Sequence, residues 1–301
     1  MASLEPIFSR VSPETQDIQD TRVGQQCQSF RHKGVDYYTH FANTDLDYDE
    51  WISLETIREL PEQDGLYNYI IYRANDGGYA MLFAKHNLPN ELASKHNFLY
   101  VYIQRNQLTP EMRVYMAGEL HKSGNTYKIN FQSGTYIPSY KEKWMEKTGE
   151  ESSEKDWAKV VVPFMKDILG GDVEYDEGNS FLKRYPVLYH PETYRKLEIM
   201  GKPVRFFKDK ISCQLYKLYS LYISKGAKAI PTFSLRAKLD NGKRLSNYVE
   251  RKPDGTMGFI DSVNVDDIKG LSFDEFQDKI RSGGRKTRRR KKRHNKKSRR
   301  K

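Results

Sequence analysis

The stretch LYNYIIY (Leu66–Tyr72), a turn NDGG (Asn75–Gly78) and YAMLFA (Tyr79–Ala84) decide the fold class of this chain. Both flanks are rich in aromatic and β-branched residues, and the turn holds the residue types that accept positive φ. The pair therefore predicts a β-hairpin. Three further runs extend it: Phe98–Gln104 (FLYVYIQ), Arg113–Leu120 (RVYMAGEL) and Thr126–Gln132 (TYKINFQ). In the last run Tyr127, Ile129 and Phe131 alternate with Thr126, Lys128, Asn130 and Gln132, the period of a strand with one buried face. Five consecutive strands with short links predict an antiparallel β-meander over 49–140.

Helical signals flank this region. Trp51, Ile52, Leu54, Ile57 and Leu60 fall near helical spacing before Pro61, which predicts a short helix over 49–60. Glu154–Leu169 reads as a helix capped by Ser152 or Ser153, ended by Gly170, and kinked or split at Pro163. Pro191–Met200 and Asp209–Lys225 read as two more helices, the second with Ile211, Leu215, Leu218 and Tyr222 on one stripe. Pro203–Phe207 reads as a short strand. Asp240-Asn241-Gly242-Lys243 predicts a hairpin between 232–239 and 244–249, and Met257–Val263 a further strand. Ser272 with Glu275 matches a capping box. The expected class is α+β: a polar, loosely ordered N-terminal arm over 1–48 with a short strand around Val35–Tyr38, the β-rich domain, a mixed helix and strand region over 141–284, and a tail over 285–301. The charged stretch from Tyr140 to Ser153 reads as a linker.

The 301 residues carry a net charge of +11, unevenly distributed. Arg285, Lys286, Arg288, Arg289, Arg290, Lys291, Lys292, Arg293, Lys296, Lys297, Arg299, Arg300 and Lys301 place thirteen cations and no acid in the last seventeen residues. Removing them from the 51 Lys and Arg leaves 38 against 40 acidic residues, so residues 1–284 carry about −2. A cationic string without apolar anchors is expected to be disordered. It binds polyanions by releasing counterions, without reading bases. Nucleic acid is the first expected partner and a nuclear import receptor a further one. A purely solubilising tail and an anionic membrane are the alternatives.

No uninterrupted apolar run approaches membrane-spanning length. The N-terminus lacks a basic segment followed by an apolar one, so no secretory signal is expected. Two cysteines in a chain of this size need no disulfide framework, and a reducing compartment is the default. The histidines are scattered, no His or Cys pair has zinc-ligand spacing, and neither metal nor cofactor is expected. Asp45, Asp47 and Asp49 lack the Gly and terminal Glu of an EF-hand and read as a solvated acidic loop. A phosphate-binding glycine loop, a nucleophile elbow and His-Glu-x-x-His are all missing. Tyr189, Tyr194, Tyr216, Tyr219 and Tyr222, near Arg195 and Arg205, read as core edges rather than base-stacking surfaces.

The candidate chemical site is His96, Glu119, Ser133 and Tyr136. If their strands are neighbours, these side chains converge at one sheet end and supply acid–base or ligand-binding chemistry. The bland alternative gives Gly118 and Gly134 to close packing and Glu119 and Ser133 to turns.

The segment AGEL (Ala117–Leu120) with NFQSGTYIPS (Asn130–Ser139), together with the GGRKTRRRKKRHNKKSRRK tail, resembles uncharacterised proteins of large nucleocytoplasmic DNA viruses. The resemblance covers about residues 95–139 and the tail. It implies a viral factory, host nucleus or virion as the setting, and carries no catalytic assignment. The expected function is non-enzymatic, non-specific nucleic-acid binding through the tail. An enzyme acting on a nucleotide or ADP-ribose-type ligand at the sheet end, and a structural virion component, are the alternatives.

Overall fold

Lys33 and Gly34 both adopt positive φ, +50° and +79°, and turn β1 (Gln28–His32) back onto β2 (Val35–Phe41). Two left-handed residues in a two-residue loop suit the right-handed twist of the paired strands. The computed structural model describes residues 27–41, 46–54, 57–87, 95–110, 114–133, 136, 154–178, 180–223, 236 and 238–282. β2 contains the short strand expected around Val35–Tyr38, and its pairing with β1 corrects the expectation of a loose arm over 27–41; residues 1–26 lie outside the described residues. The turn of this hairpin is Lys-Gly, not the Asn-Gly by which hairpins are usually recognised. The linker expected over 140–153 and the tail over 285–301 lie outside the described residues.

The chain divides into two compact units, one within Asp45–Tyr189 and the other within Asp20–Thr44 and His190–Lys301. The boundary falls at 189/190, and not at 140/141 as expected. A helix and a strand beyond residue 150 complete the sheet of the first unit and hold them together.

The first unit begins with α1 (Tyr48–Leu54). Asp47 caps it: its carboxylate accepts the Glu50 N–H at 2.8 Å, while Glu50 accepts the Asp47 N–H at 3.0 Å. Asp47 and Glu50 thus form a reciprocal capping box, and Asp49 pairs with Arg105 at 3.1 Å. The helix is shorter than expected, because Ile57 and Arg58 form β3, paired with Ala84 and Phe83. Next come β4 (Gly65–Arg73) and β5 (Tyr79–Lys85), antiparallel about the predicted turn.

Residues 98–104 are not a strand. They belong to α2 (Lys95–Arg105), whose buried side chains are Lys95, His96, Leu99 and Ile103. Spacings of three and four residues mark a helical face, and the β-prone composition of the run obscured them. Phe98 stacks on Trp51 with ring centroids 4.9 Å apart. The meander is therefore interrupted. After α2 the chain returns as β6 (Val114–Ser123), antiparallel to β4 and on the opposite side of it from β5. Then come β7 (Thr126–Ile129), α3 (Glu154–Leu169) and β8 (Asp172–Tyr175), which lies parallel to β7. The sheet order is β3-β5-β4-β6-β7-β8. The class is α+β as expected, with a mixed sheet in place of a pure meander.

One face of this sheet is an aromatic-rich core. Tyr67, Tyr69 and Ile71 of β4, Met81 and Phe83 of β5, and Met116 and Leu120 of β6 pack under Trp157, Val161, Met165 and Leu169 of α3. Those four α3 residues recur every fourth position, so one stripe meets the sheet. Burying each contributes on the order of 1.5–3 kcal/mol. Pro163 neither splits nor ends α3, which runs unbroken from Glu154 to Leu169. The stripe anchors it on both sides of the proline.

In the second unit β2 also pairs with Val204–Phe207. Helix Pro191–Ile199 starts on its proline, as expected. Helix Lys210–Leu218 is capped by Asp209, whose carboxylate accepts the Ser212 N–H at 2.8 Å; a π-helical turn, Tyr219–Ile223, continues it. The Asn241-Gly242 turn forms, with Gly242 at φ +76°. Its pairing shrinks to one bridge, Lys238 with Arg244, and Leu245–Asn247 turns as a 3-10 helix instead of extending as a strand. Val249–Arg251 pairs instead with Met257–Phe259. Residues 273–282 are helical, and Ser272 and Glu275 make the predicted box at 2.7 and 3.3 Å. Cys27 and Cys213 are joined in a disulfide, against the expectation of unpaired thiols. Tyr194 and Tyr216 are buried core residues, as read, while the side chain of Tyr222 lies outside the description. Among the described residues no helix is long and apolar enough to cross a membrane.

Candidate functional site

Three of the four candidate residues meet. His96 stands in the first turn of α2, and its Nε2 lies 2.9 Å from the Gly118 carbonyl oxygen of β6. A carbonyl only accepts, so Nε2 carries the proton and Nδ1 is the acceptor. Nδ1 lies 3.2 Å from Ser133 Oγ, so the serine hydroxyl donates to it. The same oxygen accepts the Tyr136 backbone N–H at 3.0 Å, and the Tyr136 hydroxyl donates to Asn97 Oδ1 at 3.5 Å. Ser133 is partly exposed, whereas His96 is buried. Burial holds the His96 ring down to a pKa of about 4, with Lys95 acting in the same direction and the Gly118 carbonyl against it. The ring is therefore neutral at pH 7, as the tautomer requires.

Gly118 is dictated by its neighbours. A Cβ there would stand 2.1 Å from the Asn130 carbonyl oxygen and 2.7 Å from the Tyr69 hydroxyl. Those two atoms are themselves bonded, the Tyr69 hydroxyl donating to Asn130 O at 2.8 Å. The close-packing reading of Gly118 holds. Gly134 lies outside the described residues.

Glu119 adjoins this group through the backbone but its carboxylate has other partners. It accepts Asn130 Nδ2 at 2.9 Å, the Phe181 N–H at 2.6 Å, and the Ser180 hydroxyl. Asn130 Oδ1 in turn accepts the Glu119 N–H at 3.0 Å. The carboxylate thus ties the end of β7 to the start of helix Phe181–Arg184. These contacts are those of a buried capping residue, and they satisfy both carboxylate oxygens.

Sequence reasoning missed Asn130, Ser180, Lys95, His86 and Asn68. Asn130 sits on the polar side of the alternating pattern, yet it is buried. His86 and Lys95 were legible only as isolated polar residues until α2 brought them together. Burial first, then Lys95 and His96, push the His86 ring well below its ordinary value.

Chemically, Ser133 and His96 form a hydroxyl–imidazole pair whose imidazole is oriented by a backbone carbonyl rather than a carboxylate. Among the described residues no group of His, Cys, Asp and Glu is arranged to hold a metal ion. No protein-family model matches the chain, and neither a curated protein nor a solved structure matches it.

Proposed function

We propose that this protein binds nucleic acid without sequence preference through residues 285–301, as a non-enzymatic protein. One observation carries the reading: thirteen cations and no acid in the last seventeen residues, against a body of about −2. Such a density of Lys and Arg favours any polyanion by counterion release. DNA or RNA is the first partner of such a tail, and a nuclear import receptor is a further one. The resemblance of the Ala117–Leu120 and Asn130–Ser139 segments to proteins of large DNA viruses supports a setting in a viral factory, host nucleus or virion. A structural role beside a packaged genome is a variant of the same reading. Deleting 285–301 tests it: retention on DNA at low salt should disappear, and retention by residues 1–284 at full strength would overturn it.

A second reading is favoured by the contact between Ser133 and His96. It takes the sheet end as an enzyme site for a nucleotide or ADP-ribose-type ligand, with the serine hydroxyl and the imidazole as the reacting groups. The low basicity of His96 ranks it second, since a base of pKa about 4 gains little by taking a proton at neutral pH.

A further inference from the structure

Cys27 stands one residue before β1, and Cys213 lies in the first turn of helix Lys210–Leu218; both belong to the second unit. Their disulfide pins the start of the β1–β2 hairpin to that helix across 186 residues of chain. Around it Cys27, Phe207, Cys213 and Tyr216 form a small buried cluster, with Tyr38 and Tyr219 packed against it.

The hairpin has a second anchorage, built on rings. Phe30 is 1% exposed, and its ring meets those of Tyr194, Phe206 and Phe276. Tyr37 meets Phe276 with ring centroids 5.0 Å apart. β2 pairs with Val204–Phe207 from Tyr38 to Phe41. None of these contacts passes through sulfur, so they outlast a break in the disulfide. Cys213 keeps a partner as well. Its Sγ lies 3.5 Å from the Thr39 carbonyl oxygen of β2. A disulfide sulfur has no hydrogen to donate, whereas a thiol has one. An acceptor for reduced Cys213 is thus already in place, and it keeps that sulfur where the bond can form again. Cys213 has no exposed surface, so an incoming thiolate reaches the pair only through Cys27.

We propose that Cys27–Cys213 is a reversible redox switch: a dithiol reductant opens it at Cys27, the start of β1 comes free, and the rest of the second unit stays folded with Cys213 in place. A thiolate of the reductant attacks Cys27 Sγ and forms a mixed disulfide. The bond to Cys213 breaks, and Cys213 leaves as thiolate, takes up a proton and donates to the Thr39 carbonyl. The second thiol of the reductant then attacks its own sulfur in the mixed disulfide and releases Cys27, which is protonated in turn. Two electrons and two protons pass to the protein, and the reductant departs as its cyclic disulfide. A disulfide oxidant runs the same steps backwards. The freed end is short: the pairs of Gln28 with Thr39 and Ser29 with Tyr38 lie nearest Cys27, whereas Phe30 is held by its aromatic neighbours. The switch is independent of the tail and of the Ser133–His96 pair.

The test equilibrates the full chain with dithiothreitol over a range of reduced-to-oxidised ratios. Maleimide mass shifts count the thiols, and NMR follows amide exchange in the oxidised and reduced chains. Both thiols should appear together and disappear together on reoxidation, with the same cross-link restored. In the reduced chain the amides of the Gln28–Thr39 and Ser29–Tyr38 pairs should exchange about tenfold faster, while those of Val204–Phe207 and Lys210–Leu218 change little. Cys27→Ser should show the reduced pattern under oxidising conditions. A brief exposure to glutathione should place the mixed disulfide on Cys27. Faster exchange throughout the second unit would make the bond a plain staple and overturn the proposal. So would a disulfide that the folded chain does not yield to dithiothreitol, unchanged exchange at Gln28, or glutathione on Cys213. A Cys27→Ser chain that fails to fold counts against it in the same way.

Discussion

Ser133 Oγ lies 3.2 Å from Nδ1 of His96, across 37 residues of chain. The contact exists because residues 95–105 are helical. As a strand, that segment would not have set His96 against the Gly118 carbonyl.

Replacing Ser133 with Ala removes a donor to His96 and an acceptor for the Tyr136 N–H. Equilibrium denaturation should show a loss of about 1–3 kcal/mol, the cost of leaving partly buried polar groups unpaired. An organophosphonate that labels activated serines should leave Ser133 unmodified, because the depressed basicity of His96 gives little activation. Labelling of Ser133 that His96→Ala abolishes would put the enzymatic reading first.

Gly118→Ala should be among the most damaging single substitutions in the first unit. Its Cβ would meet the Asn130 carbonyl oxygen at 2.1 Å and the Tyr69 hydroxyl at 2.7 Å; the first is backbone, and the second belongs to a fully buried ring held by its hydrogen bond to that same oxygen. Overpacking of this kind costs about 1–3 kcal/mol or more. Soluble yield and melting temperature check it; a wild-type Tm would contradict the close approach of β4, β6 and Asn130.

Acid should destabilise the fold well before the carboxylates titrate. Burial lowers the His96 and His40 rings from 6.5 to about 4. The unfolded chain therefore binds more protons than the folded one in that interval. Stability is complete above about pH 6.5 and falls with pH down to about 4, at up to about 1.4 kcal/mol per pH unit for each ring. Chemical denaturation at stepped pH measures this slope. His96→Gln should make it shallower, and a flat profile from pH 7 to 4 would contradict the buried neutral state.

Reduction should destabilise the second unit. Cys27 and Cys213 are 186 residues apart in sequence, and a native cross-link of this kind contributes about 2–5 kcal/mol. A reductant, or Cys27→Ser, should lower the Tm, and the two treatments together should do no more than either alone. An unchanged Tm on reduction would place the cysteines apart in solution.

Much of the fold was legible because it rests on local signals. The Asn75–Gly78 turn, the Pro191 start and the Ser272–Glu275 box each follow from a few neighbouring residues. What was not legible depended on distant partners. FLYVYIQ has strand composition but buries Leu99 and Ile103 at helical spacing against strands on either side of it in sequence. The 244–249 stretch breaks into a turn because Val249–Arg251 pairs forward with Met257–Phe259. At the site, residue types could be chosen from sequence but not their pairing. Glu119 was grouped with His96, whereas its carboxylate meets Asn130, Ser180 and Phe181, the last two about sixty residues further on.

Residues 285–301 are proposed to hold nucleic acid. Binding of the full chain to a DNA duplex should be measured across a salt series, beside the chain ending at Gly284. Log affinity should fall with log salt at a slope steeper than about −5, each neutralised phosphate contributing about −0.9, and the truncated chain should lose both the affinity and the slope. A full-length affinity indifferent to salt, or a truncated chain that binds as well as the whole, would contradict it.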